Sequence, residues 1–272
     1  MHIRPLDSLA LLVLICSLTG CMHNADGRRT MILVPAAQEL KLGDDAFKEI
    51  LTKEKVCNDA TASALVTNIG NRVAAISPKP GWKWDFRLFD APTTANAFAL
   101  PGGKVGVYTG LFAAAATEAG LAAVMGHEVA HAIARHGAER ITQSMLMDLG
   151  MQAAQITLDD SKNKGPIMGA LGVGAQIGVA LPFSRSMESE ADKMGLVYMA
   201  RAGYDPREAI GFWERFGKDT GSAPPEFLST HPANQTRIEG LKATLPEALK
   251  AYEASARSGK GAALTTPGCG RS

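Results

Sequence analysis

The sequence predicts a single α+β domain, mainly helical, with a small antiparallel sheet beside one long helix. Three observations predict it. Apolar residues recur at helical spacing on both sides of residues 82–109. Within 82–109 they alternate with polar residues or sit between turn residues, as strands do. An amino-terminal stretch of 20 residues reads as a removable leader, and 272 − 20 leaves 252, long enough for one core. The net charge is +1, from 28 basic and 27 acidic residues, which gives no case for nucleic-acid binding.

The elements follow in order. Arg4 precedes the apolar run 9–18, and Leu18-Thr19-Gly20-Cys21 resembles a bacterial lipoprotein cleavage box with Cys21 as the acylated residue. The run is too short to span a bilayer as a helix. The expected organisation is a signal peptide over 1–20, a lipidated tether over 21–34, the main domain over 35–252 and a flexible tail over 253–272 unless Cys269 ties it down. Met22, in place of an aspartate, favours the periplasmic leaflet of the outer membrane. Helices are expected over 35–54 and 61–76. Trp82, Trp84, Phe86 and Leu88 alternate with Lys83, Asp85 and Arg87, giving a half-buried strand. Strands over 97–100 and 104–109 flank the turn Pro101-Gly102-Gly103. A helix from Thr117 to about Gln143 follows, with Thr117 as its N-cap and Glu118 in its first turn. The uncharged stretch 165–183 is expected to be a loop or a tightly packed helix. A further helix should begin near Ser184.

The long helix carries His127-Glu128-Val129-Ala130-His131. Residues 127 and 131 lie one turn apart, about 40° around the axis, so both imidazoles can reach one cation. Glu128 falls beside them, placed to take a proton from an activated water. The bland alternative is two surface histidines on an amphipathic helix. His136 does not fit the other zinc pattern, which needs a glycine three residues after the second histidine, where Ala134 stands here. On a continuous helix His136 would point about 140° away from His131, leaving it an outer-sphere or solvated role.

A catalytic zinc usually takes three protein ligands. The third is sought in Glu188-Ser189-Glu190-Ala191-Asp192. On a helix Glu188 and Asp192 share a face, so Glu188 is the expected ligand. Asp192 is then placed to accept the outer N–H of a ligating imidazole. Glu190 points the other way and is expected to be solvated or salt-bridged.

Five stretches stand in order: Asn96-Ala97-Phe98-Ala99-Leu100-Pro101-Gly102-Gly103, the His127–His131 motif, Glu188–Asp192, Ala202-Gly203-Tyr204-Asp205-Pro206 and Ser229-Thr230-His231-Pro232. Together they resemble the HtpX and CAAX-prenyl-endopeptidase family, metallopeptidase family 48, most similarly its bacterial lipoprotein branch, over roughly residues 36 to 245. The resemblance implies a zincin-like fold, one Zn2+ per chain and endopeptidase activity. It implies His127, His131 and Glu188 as ligands, Glu128 as the catalytic carboxylate and Asp192 as the outer-sphere partner. It also suggests that His231 approaches the zinc, either as a fourth ligand that makes the resting enzyme latent or as a donor to the developing oxyanion. A helix-capping histidine without metal contact is the alternative, since Pro232 suits a helix start. Arg237 could pair with a site carboxylate or lie on the surface.

An extended peptide could add to an edge of the sheet, with Val107 the position chosen to test that edge. Cys57 and Cys269 could form a disulfide. The expected function is a lipid-anchored zinc endopeptidase on the periplasmic side of a bacterial envelope, degrading unfolded or misassembled envelope proteins. An assembly-machinery partner is left unspecified. Alternatives are a chaperone or binding module for outer-membrane proteins with a latent metal site, and a zinc amidase acting on cell-wall peptides.

Overall fold

A computed structural model describes residues 22–23, 29–79, 82–152, 183–217, 226–232, 235–256 and 259–270. Cys21 and the leader lie outside them, as does the uncharged stretch except Phe183. Two short strands, β1 (Met22–His23) and β2 (Arg29–Thr30), pair antiparallel. The helices α1 (Ala36–Lys53) and α2 (Ala60–Ile76) follow, within a residue of their expected bounds. Asp59 caps α2 by accepting the Ala62 N–H at 3.0 Å. Next come β3 (Asp85–Phe89), β4 (Ala97–Leu100), β5 (Lys104–Tyr108) and the short α3 (Leu111–Ala115). The remaining helices are α4 (Glu118–Ile133), α5 (His136–Gln152), α6 (Arg185–Arg201), α7 (Arg207–Phe216), α8 (Glu226–Thr230) and α9 (Gln235–Glu253). None of the described helices is long and apolar enough to cross a membrane.

The sheet corrects the antiparallel expectation. Its order is β3-β5-β4, with β3 and β5 parallel and β4 antiparallel to β5. Alternation reports which face a residue takes, not strand direction, and the connection from β3 carries β4 past the slot that β5 fills. β4 is therefore an edge, while Val107 lies on the central strand, where proline would break the sheet and not probe its edge. Gly106 on β5 leaves room for the ring of Phe98, which a Cβ there would meet at 2.3 Å.

The predicted helix from 117 to 143 is two helices. It stops at Ile133, Arg135 takes a left-handed φ of 60°, and α5 begins at His136. Such a conformation costs an ordinary residue about 1–2 kcal/mol. Arg135 offsets that by donating to Glu39 Oε2 at 2.7 Å and to the carbonyl of Val34 at 3.2 Å. An arginine carries no breaker signal, so the turn is invisible to pattern.

Helix α4 lies at the centre, with every residue from Ala119 to Ala132 buried. The carboxyl-terminal tail covers its start: the N–H groups of Glu118 and Ala119 donate to the carbonyls of Ala262 and Lys260 at 3.1 and 3.0 Å. These are orphan donors of a helix end, satisfied here by the tail together with the Thr117 hydroxyl, which takes the Gly120 N–H. A disulfide joins Cys57 to Cys269, so the 259–270 segment is held against the domain.

Candidate metal centre

Helices α4 and α6 cross at two glycines. A Cβ on Gly126 would stand 2.8 Å from the carbonyl oxygen of Gly195, and one on Gly195 would stand 2.7 Å from the backbone nitrogen of His127. The backbones touch beside the first histidine, and Glu188 lies two turns before Gly195 along α6. Ser184 starts that helix by accepting the Met187 N–H at 3.3 Å.

Four donor groups converge there. Nε2 of His127 and Nε2 of His131 are 3.0 Å apart. The carboxylate of Glu188 is 3.4 Å from the first and 3.3 Å from the second. Nδ1 of His231 is 3.2 Å from His127 Nε2 and 2.9 Å from Glu188 Oε1. All four residues are buried, and their donor atoms lie within 4.8 Å of one another.

A tetrahedral ion with ligands at about 2.0–2.1 Å needs donors about 3.3 Å apart, close to these separations. Two imidazole nitrogens at 3.0 Å can share one proton, but the convergence of three histidines and a carboxylate on one buried point suits a shared cation. The donor set of nitrogen and carboxylate oxygen, closely spaced and buried, fits zinc.

The outer contacts fix the orientation of the donors. His127 Nδ1 donates to Asp192 Oδ1 at 2.9 Å, which leaves Nε2 as the lone pair facing the centre. Arg237 is buried, not on the surface. Its Nε and Nη2 donate to the two oxygens of Asp192, each at 2.7 Å, while Nη1 pairs with Glu188 Oε2 at 2.7 Å. Its guanidinium also covers the ring of Trp213 at 3.8 Å.

The electrostatics follow from these contacts. Burial pushes the Glu188 carboxyl up, but His231, Arg237 and His127 outweigh it and hold the group well below the usual range. Asp192 is likewise held down against burial, by Arg237 and His127. Burial opposes a charge on His127, yet Glu188 and Asp192 raise it to about 9. Burial drives His131 well below its ordinary value. Glu128 is raised by burial, and its Oε1, 3.5 Å from His231 Nε2, makes no hydrogen bond.

One sequence expectation is corrected and two are narrowed. His231 does not open a helix: its N–H donates to the carbonyl of Phe227 at 2.8 Å, closing the turn after α8. Its ring is sandwiched between Phe227 and Phe183, at 4.4 and 5.0 Å. Glu190, expected to be solvated or salt-bridged, is buried and paired with His136, whose Nε2 lies 3.3 Å from its Oε2. His136 is fully buried and reaches His131, because the turn at Arg135 reorients it. Of the two roles left open for His136, the one outside the donor set holds, while the angle drawn for an unbroken helix does not, and the displaced His136 is what gives Glu190 on α6 its partner.

The model of peptidase family M48 matches residues 61–245. The chain belongs to peptidase family M48. This M48 chain is 36% identical over 222 residues to the "Mitochondrial metalloendopeptidase OMA1" of Schizosaccharomyces pombe, an alignment covering 80% of the chain and 64% of that relative. It is 34% identical over 277 residues to the protein of the same name in Saccharomyces cerevisiae, covering 93% of the chain and 78% of the relative. A more distant relative, at 30% identity over 217 residues, is the "Putative beta-barrel assembly-enhancing protease" of Vibrio cholerae, with 74% of the chain and 43% of that protein covered. The chain thus spans just under two thirds of the first of these and less than half of the last. The bacterial outer-membrane address expected from the amino terminus does not stand, because the more similar relatives are mitochondrial by name. As in other M48 metallopeptidases, the metal is zinc, and the buried group of His127, His131, Glu188 and His231 is where the chain can hold it.

Proposed function

We propose that this chain is an endopeptidase that cuts extended segments of unfolded or misassembled proteins. One observation carries the reading: the free carboxylate oxygen of Glu128 stands beside the donor cluster, with edge strand β4 alongside, close enough for Ala99 to hydrogen-bond Glu128 through its backbone. His127, His131 and Glu188 would hold the zinc, which when bound supplies Lewis-acid polarisation of the scissile carbonyl and of the attacking water.

Glu128 takes the proton of that water and returns it to the leaving amine. Its burial favours this work by keeping its proton affinity above that of an ordinary carboxylate. Asp192 and Arg237 keep His127 and Glu188 in place. An extended substrate added along β4 would be bound through main-chain groups, which reads shape and not sequence and suits unfolded chains.

His231 is a latch in this reading. Its Nδ1 fills the fourth donor position, so water and substrate enter only after it leaves. Phe183 and Phe227, packed on both faces of its ring, hold the closed arrangement.

Casein digestion by the full chain tests the proposal. Glu128→Gln should lower the rate by roughly 10²–10⁴-fold with zinc retained. His231→Ala should raise it. Undiminished digestion by Glu128→Gln would contradict the assignment, and lower digestion by His231→Ala would make that histidine a catalytic donor instead of a latch.

A further inference from the structure

We propose that His136 and Glu190 form a positioning relay that sets the tautomer and ring orientation of His131, the counterpart of the Asp192 contact to His127. The inference rests on the zinc reading of the centre and goes beyond its ligands. His136 Nδ1 lies 2.9 Å from His131 Nδ1, and His136 Nε2 lies 3.3 Å from Glu190 Oε2. All three side chains are buried, with relative exposures of 2% for His131, 0% for His136 and 2% for Glu190.

Two ring nitrogens at hydrogen-bond distance share one proton, and its owner decides whether His131 can bind a cation. If His136 Nδ1 were the donor, the proton of a neutral His131 would sit on Nε2, pointing at the donor cluster 3.0 Å from His127 Nε2. That tautomer offers no lone pair to a metal. If His131 Nδ1 donates, Nε2 is free for the metal, and His136 must carry its own proton on Nε2. Glu190 selects the second arrangement, because its carboxylate oxygen accepts the His136 Nε2 proton. The chain of donation therefore runs outward from His131 through His136 to Glu190.

The two histidine ligands then have unlike supports. Asp192 serves His127 directly and is itself held by Arg237. His131 is served by an imidazole that a second carboxylate orients. The relay depends on the chain break before α5: without the left-handed turn at Arg135, His136 would lie on another face of the helix.

Zinc affinity, measured on the full chain by competition with a chromophoric chelator, tests the relay apart from activity. His136→Leu, which cannot accept a hydrogen bond, should weaken binding by roughly 10–100-fold. His136→Asn, whose amide oxygen can stand where Nδ1 stands, should recover most of that loss. Glu190→Gln should weaken binding by about tenfold. A His136→Leu chain that binds zinc as tightly as the parent would overturn the proposal, as would an Asn variant that binds no better than Leu. Should these variants fail to fold, long-range ¹H–¹⁵N spectra of the zinc-loaded parent decide the matter. The relay requires His136 protonated on Nε2 alone, and a proton on its Nδ1 would refute it. Parent chain that binds no zinc would instead remove the metal centre itself, a separate failure.

Discussion

His127 shows how far a buried residue's chemistry is set by its neighbours. Burial opposes its protonation, but the carboxylates of Glu188 and Asp192 raise it to about 9 in the metal-free chain. Zinc must then displace a proton from Nε2, while the Nδ1 proton stays with Asp192. Below about pH 9 the proton competes, so zinc affinity should rise with pH and level off above that value. Calorimetric titration at pH 7 in buffers of different ionisation enthalpy should show about one proton released per zinc, fading near pH 10. Release of none at pH 7 would contradict the charge assignment. At this scale the sequence displayed His127, Glu128 and His131 through spacing alone, and Glu188 with Asp192 through a shared helical face. Arg237 was open to either reading, because its role depends on where the chain returns after α8, which no local pattern encodes.

At the scale of elements, the site is a helix crossing. Gly126 and Gly195 let α4 and α6 meet backbone to backbone, which brings Glu188 within reach of both histidines. Gly195→Val would put side-chain atoms against the backbone nitrogen of His127 and the carbonyl carbon of Gly126, and neither can yield unless the helices separate. The variant should lose about 1–3 kcal/mol of stability and at least about tenfold in zinc affinity. Thermal unfolding and chelator competition read the two effects, and parental values in both would show that the crossing is not what sets the ligand spacing. Element bounds were largely legible: α1, α2 and β4 fall within a residue of expectation, because caps, turns and apolar periodicity agree there. The split between α4 and α5 was not, since it is sustained by the contacts of Arg135 to Glu39 and Val34, about a hundred residues away in sequence. Strand direction in the sheet was hidden for a related reason, as β3 pairs with β5 and not with the next strand in sequence.

For the molecule as a whole, the amino-terminal half and the tail are tied together around the central helix. The disulfide between Cys57 and Cys269 closes a separation of 212 residues, and Asp59 and Asn58 take the N–H groups of Gly268 and Gly270 at 2.9 and 2.8 Å. Closing so long a loop restricts the unfolded chain and contributes on the order of 2–5 kcal/mol. Cys269→Ser should therefore lower the unfolding temperature by roughly 10 °C. It should also loosen the tail carbonyls that cap α4, seen as faster amide exchange at Glu118 and Ala119. An unchanged unfolding temperature would show that the tail is held by its hydrogen bonds alone. The address read from Cys21 failed at this same scale. A leader motif speaks for a few residues, whereas similarity over most of the chain leads to relatives that are mitochondrial by name.

The account stands on one cation held by two imidazoles of α4 and a carboxylate of α6. Elemental analysis of the purified full chain, beside His131→Ala and Glu188→Ala, measures that directly. One zinc per parent chain, with most of it lost in both variants, is the expected result. A parent without stoichiometric zinc, or variants that retain it in full, would contradict the account.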